Sequence, residues 1–293
     1  MMKDARHLIW IPAAGAAGFF ASYVFGDLIS LPVDVYYLIY FTLIGAFLVT
    51  YTQVTRLNVR RLLKRRAAAA GVAGLLIGAL MVRKVVSLPP TMHYEGLFLW
   101  WAVLWRGLIY GAVDGLLLFS LPWIVTWRAL RVRRAGIGRK IGASLLAWAF
   151  ILFVTTTYHL GYRDFRSAKI IQPNVGSTIT SVATLATANP AASLVAHVCL
   201  HIGAVLHSPR TELFLPPHSN GKRIILRNSQ CLLFSLLIED VHQLPWPGKE
   251  RRVSRIQVSY FTSRPPVHFL LEIGCQRPVP LTDDTDTPDR SAG

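Results

Sequence analysis

Acidic side chains are scarce in this chain, with 15 Asp and Glu among 293 residues against 31 Lys and Arg. Charged residues of both signs make up only 16 %, while 53 % are hydrophobic and the mean hydropathy is +0.41. Those proportions exclude an ordinary water-soluble domain, in which roughly 25 % of residues are charged. Cysteine is sparse too. Cys199, Cys231 and Cys275 share no C-x-x-C spacing, which argues against a disulfide scaffold or a structural zinc site. Cys199 reads as a small packing residue inside an apolar run. No internal repeat is visible, and no soluble segment of useful size interrupts the apolar runs.

What fills the chain is long apolar runs. A helix needs ~20 mainly apolar residues to cross a bilayer, and runs of this length mean helices rather than barrel strands. The expected spans are 8–25, 35–54, 67–82, 96–127, 141–159 and 177–207, the last interrupted at Asn189-Pro190. The first run is followed by further spans, so it is expected to remain as a helix and not to be removed as a signal. The fold class is therefore an all-α polytopic membrane protein of about six transmembrane helices with a broken last span. Two domains are expected, a helical bundle over 1–207 and a partly disordered tail over 208–293. Within the tail, RIQVSYF and VHFLLEIG have the alternation and apolar character of short strands, so a small β-containing appendage is one expectation and an irregular tail the other.

The formal net charge of +16 does not point to nucleic acid, because the cations sit in short blocks between apolar runs. TRLNVRRLLKRR and RALRVRRAGIGRK carry six each, and the loops alternating with them hold few. This is the positive-inside pattern, reinforced by attraction to anionic lipid. It places both blocks, and with six spans both termini, in the cytoplasm of a prokaryotic-type plasma membrane. The expected partner is the lipid bilayer, with no nucleic acid.

Intramembrane polar groups are the functional candidates in such a protein. Asp114 is the one acidic residue lying well within a span, in RGLIYGAVDGLLLF. At ~100° per residue it falls close to Gly107 and Gly111, on a small-residue ridge that lets another helix approach. It is expected to point into the bundle. Tyr110 lies one turn away on the same side, whereas Arg106 is displaced around the helix. In the last span Asn189, Ser193, His197 and His201 recur every fourth residue as one drifting stripe. HVCLH puts two imidazoles on one face one turn apart, the spacing by which a helix offers two ligands to a metal ion such as zinc. It lacks the Glu that follows the first His in zinc-protease helices. TTTYHLGYRDFR adds His159, which would complete a three-histidine metal set of His159, His197 and His201. That set requires a turn or strong bend at Asn189-Pro190, because a straight last span leaves His197, His201 and His207 toward the inner end. A proline disfavours helix at the residue before it, so such a break is plausible.

The series of an acidic span, a span ending in His and a final His-x-x-x-His span resembles the CAAX-protease-and-bacteriocin-processing group of intramembrane metalloproteases. The resemblance covers about Gly96 to His207. It implies that His159 stands for the histidine of the Phe-x-x-x-His motif, with Thr155 in place of the Phe. His197 would open the third motif, with His201 where the family has Asn or Asp, and Asp114 occupies the place of the glutamate pair. The implied function is a metal-dependent hydrolase acting on a membrane-embedded peptide, with Asp114, His159 and His197 as catalytic groups. Two other classes fit the same residues. A small proton-coupled transporter would use the histidines as relays, and a non-enzymatic scaffold or assembly factor would use them to fix helix packing.

Overall fold

A computed structural model describes residues 6–64, 66–91, 93–132, 135–207, 255–258 and 269–272 of the chain. The chain divides into two units, Met1–Lys222 and Arg223–Gly293. In the second, Arg255–Val258 (β1) and Phe269–Glu272 (β2) pair antiparallel, Arg255 opposite Glu272. These two segments fall within the stretches whose pattern suggested strands; the rest of the expected tail lies outside the described residues.

The first unit is helical. Among the described residues, five helices are long and apolar enough to cross a membrane: α1 (Arg6–Leu28), α2 (Val33–Val54), α3 (Ala67–Val86), α4 (Gly96–Ala129) and α5 (Ile137–Leu160). Two shorter helices follow, α6 (Ile171–Thr187) and the apolar α7 (Ala191–His207). Side chains such as Leu76, Leu80, Leu97, Trp100 and Leu145 stand more than half exposed on the outside. Apolar surface on that scale belongs against lipid, and the protein is a multi-pass membrane protein.

The break at Asn189-Pro190 turns the chain around completely. Ala188 takes a left-handed conformation (φ 53°) that ends α6, and Asn189 caps α7, its Oδ1 accepting from the Ala191 N–H at 3.0 Å. Pro190 then occupies the first turn, where a missing N–H is harmless. Ser193 Oγ donates to the Thr180 carbonyl (2.8 Å) and bonds Thr184 Oγ1 (2.7 Å), so α6 and α7 form an antiparallel hairpin. The expected single broken span is thus two helices. The turn itself lies beside the first basic block, with Asn189 Nδ2 donating to the Leu63 carbonyl and Arg66 to that of Thr187.

Direction follows from this turn. α7 runs parallel to α3, with Gly74 against Ala192 and Val195 and Gly203 against Val82, and antiparallel to α4, with Gly107 against Ile202 and Gly115 against Leu194. His207 therefore reaches the far end of α3, bonding the Leu88 carbonyl at 2.9 Å. This corrects two expectations. His207 lies at the face opposite the basic blocks, and the bundle's first and last described residues, Arg6 and His207, lie on opposite faces. The reason is that α6 and α7 run in opposite directions where one continuous span was expected.

Packing divides the bundle into two parts. α1, α2, α4 and α5 enclose one core, rich in tyrosine: Tyr36, Tyr37, Tyr40, Tyr51, Tyr110 and Tyr158 are all buried in it. Smaller clusters, Ala70–Ala183–Ala192 and Met81–Val85–Leu200, join α3, α6 and α7. The parts meet where α4 packs on α7 and where α5 bonds α6 through Thr155 and Ser177. Glycines on both sides of α7 make its contacts close: a side chain at Gly74 of α3 would meet the Ala192 carbonyl oxygen at 2.6 Å, and one at Gly111 of α4 would meet Val198 Cα at 3.1 Å. α7 is thus clamped between two small-residue ridges, the arrangement by which helices associate without a hydrophobic drive.

Candidate metal centre

Asp114 sits at the middle of α4, in the six-residue α-helical stretch Tyr110–Gly115. π-helical turns flank it on both sides, Val103–Ile109 and Leu116–Ser120. Such turns are frequent at functional sites because they re-aim side chains within a continuous helix. Here the second one also precedes Pro122, whose ring has no N–H to continue the ladder. The glycine ridge of α4 faces α7, as the spacing predicts, and lowers Asp114 onto His197.

The contacts converge. Asp114 Oδ2 lies 2.9 Å from His197 Nε2, and His201 Nε2 lies 3.1 Å from that same nitrogen. Asp114, His197 and His201 are all buried, and each presents one donor atom within 4.8 Å of the others. The second carboxylate oxygen, Oδ1, accepts from the Tyr40 hydroxyl at 2.6 Å. Rings hold the imidazoles in place: Tyr110 is edge-on to His201 at 4.9 Å, and Phe119 packs against His197 at 5.0 Å.

Hydrogen bonds among these side chains, with the carboxylate ionised, leave one group without a protein partner. A neutral imidazole nitrogen offers either one N–H or one in-plane lone pair, yet His197 Nε2 has two partners. If it donates to Asp114 and His201 Nε2 accepts a share of that proton, the proton of His201 must sit on Nδ1. That atom is buried without a hydrogen-bond partner. If His201 Nε2 donates instead, the His197 lone pair faces a carboxylate oxygen. A cation held among the three donor atoms would remove the conflict. Ligand atoms ~2.0–2.1 Å from an ion, at angles between those of octahedral and tetrahedral sites, stand ~2.9–3.4 Å apart, and the two spacings found here match.

The sequence-derived candidates divide. Asp114, His197 and His201 are brought together. His159 is not in the converging group. Its Nδ1 donates to the Thr155 carbonyl at 2.8 Å, which leaves the Nε2 lone pair free of that bond, and its ring lines the same cavity as the three donors. The depth objection to combining them disappears with the hairpin turn. The polar stripe on α7 is buried along its whole length, from Asn189 through Ser193 to His201. Arg106 does not pair within its helix; it grips Asp34 at the start of α2 with two bonds of 2.8 and 2.9 Å and takes Tyr94 as a third partner.

Sequence reasoning missed the phenols. Tyr36 and Tyr40 share a face of α2, Tyr158 lies in the last turn of α5, and Tyr162 follows the end of that helix in extended backbone. Their hydroxyls meet Tyr110 in one buried network: Tyr110–Tyr158 at 2.7 Å, Tyr158–Tyr162 at 3.2 Å and Tyr162–Tyr36 at 2.5 Å. The i, i+4 spacing was the available signal. Near span ends it suggests interfacial anchors instead. Next to the donors is a cavity of about 630 Å3, lined among others by Tyr110, Tyr158, His159, Ser177 and Leu118. No family model matches this chain, and neither a curated protein nor a solved structure is found to be similar to it.

Proposed function

We propose that this protein is a metal-dependent intramembrane hydrolase whose ion, a divalent metal such as zinc, is held by Asp114, His197 and His201. The observation that carries this reading is the placement of two partners, one carboxylate and one imidazole, on the single nitrogen His197 Nε2. Three protein ligands with a cavity on the remaining side is the pattern of a catalytic site, since structural sites are closed by a fourth. A bound divalent ion would polarise a carbonyl and bring the pKa of its water toward neutrality.

The chain's own residues have definable roles beside that ion. Tyr40 fixes the carboxylate, as outer-shell partners of ligands do. His159, with its proton committed to Thr155 and its Nε2 lone pair available, is suited to accept a proton within the cavity. The Tyr110–Tyr158 hydroxyl pair is suited to donate to an oxyanion. The glycine-clamped seam keeps these groups at membrane depth, away from bulk water. The order of the three motif-bearing helices supports placing the chain as a divergent relative of the CAAX-protease-like intramembrane metalloproteases, in a plasma membrane with its basic connections cytoplasmic. The alternative, a scaffold in which the same contacts only join α2, α4 and α7, is separated by metal content. Protein purified in detergent is expected to hold about one zinc per chain by elemental analysis, and His201→Ala to lose it. Stoichiometry near zero in wild-type protein incubated with zinc would sink the proposal.

A further inference from the structure

The cavity beside the donors opens sideways, and its lining bears on what enters. It runs between α3 and α6, which touch where Met81 Cε lies 3.6 Å from the position a side chain on Gly176 would take. Beyond that contact its lining residues Leu80, Lys84, Ile171, Gln172 and Val175 are exposed on the outside of the bundle. Its floor is Asp114, His197 and His201. Gly78 packs on Cys199 and Gly203 on Val82, so His201 is level with the turn between residues 78 and 82. At 1.5 Å per residue Lys84 stands roughly 6–12 Å along the bundle from the donors, on the interfacial side.

Two kinds of substrate reach such a mouth from within a bilayer, a polypeptide and a lipid. A polypeptide must be unwound for its backbone to be attacked, and every N–H and carbonyl released at that depth needs a partner. The walls here are helices whose backbone bonds are made internally, and much of the lining is Leu, Ile, Met and Phe. A lipid makes smaller demands: hydrocarbon for the walls, one carbonyl for the donors, and a phosphate a few bonds away for an interfacial cation.

We infer that the cavity admits an acyl chain of an anionic phospholipid and that the Asp114–His197–His201 site hydrolyses its ester, with Lys84 facing the headgroup phosphate. The inference rests on the hydrolase reading above. In the reaction the hydroxyl of water adds to the acyl carbon, the C–O bond to the glycerol breaks, and the remaining proton goes to the departing oxygen. The products are a fatty acid and a lysophospholipid, and nothing is oxidised or reduced.

The test uses zinc-loaded full-length protein in nanodiscs of phosphatidylglycerol or phosphatidylcholine carrying a labelled acyl chain. Labelled fatty acid is expected, faster from phosphatidylglycerol. Lys84→Gln is expected to reduce that preference about fivefold, the effect of one interfacial cation on an anionic headgroup. Gly176→Leu, which fills the mouth against Met81, should slow release from both lipids. A second measurement needs no metal: phosphatidylglycerol with a photoactivatable acyl chain should crosslink Asp114→Asn protein within residues 80–88 and 171–180. Crosslinks spread evenly over the outer surface would overturn lipid entry, and crosslinking without release by zinc-loaded protein would overturn ester hydrolysis. Cleavage of a transmembrane peptide without lipid release would also overturn the inference while leaving the hydrolase reading standing; absence of bound zinc would remove that reading and not the crosslinking result.

Discussion

Replacing Asp114 by Asn separates the metal reading from the architectural one with little change in shape. The asparagine carbonyl can still accept from Tyr40, and its amide can donate to His197 Nε2 with the imidazole in its other tautomer, so both contacts keep a partner although the second reverses direction. What is lost is a charged ligand. An ion that binds only the folded protein stabilises it by ~2.7 kcal/mol at one hundred times its Kd. Outer-shell changes already cost about 10–100-fold in affinity, so removing a ligand should cost at least ~100-fold. At the same zinc concentration the variant then gains only ~0.4 kcal/mol. For a chain of this size the difference corresponds to a zinc-induced rise in Tm of about 5–10 °C in the wild type and about 1 °C in the variant. Tryptophan fluorescence during thermal unfolding in detergent, with zinc or with chelator, reads both. The architectural reading predicts no zinc effect on either protein, with the variant's midpoint changed only through its altered contact with His197. A wild-type midpoint indifferent to zinc, or a variant that responds as strongly, would refute the metal argument.

Tyr40→Phe removes the 2.6 Å bond to Asp114 while its ring keeps its place against Tyr36 and Tyr110; zinc affinity by equilibrium dialysis should fall about 10–100-fold, and an unchanged affinity would reduce Tyr40 to packing. Ala188→Gly should stabilise the hairpin by about 0.5–1 kcal/mol, because a left-handed alanine costs ~1–2 kcal/mol and glycine returns part of that as lost chain freedom; a lower unfolding midpoint in denaturing detergent would contradict the turn. In a cysteine-free background, His207→Cys should react with a membrane-impermeant maleimide from the same side as Ser87→Cys and the side opposite Ala135→Cys. Labelling of His207→Cys together with Ala135→Cys would overturn the direction of α7.

Much of the bundle was legible because lipid imposes simple demands. Run length and hydropathy give α1 to α5 with their ends displaced by a few residues, and the glycine spacings at 74/78 and 107/111/115 mark the two faces that clamp α7. The inward aim of Asp114 followed from that ridge, and the pairing of His197 with His201 from four-residue spacing. Two things were not legible. Tyr40 belongs to a helix whose neighbours the sequence does not name, so no spacing connects it to Asp114. The direction of α7 was hidden because hydropathy carries no sense of direction, and the turn at 188–190 has no charged residue to mark a surface. Its signal is local instead: a cap at Asn189, a proline after it, and the Ser193 hydroxyl, which bonds the Thr184 hydroxyl and donates to the Thr180 carbonyl across the hairpin.

That turn is what makes one site possible. Counted along a straight helix, His197 lies 20 residues beyond Ser177, about 30 Å at 1.5 Å per residue, which is the thickness of the hydrocarbon core. Ser177 in turn bonds Thr155 at 3.1 Å, one helical turn from His159 on α5. A continuous span would therefore have held His159 and the α7 histidines at opposite faces of the bilayer. Folding back at Asn189 returns the chain by the distance it has travelled: Ser193 meets Thr180, and His197 one turn later is level with the Ser177 region again. The same reversal brings His197 and His201 to the depth of Asp114, near the centre of α4, where water is least available to satisfy them. Polar groups gathered there must partner one another, and Asp114, His197 and His201 do so in an arrangement that could hold a metal ion.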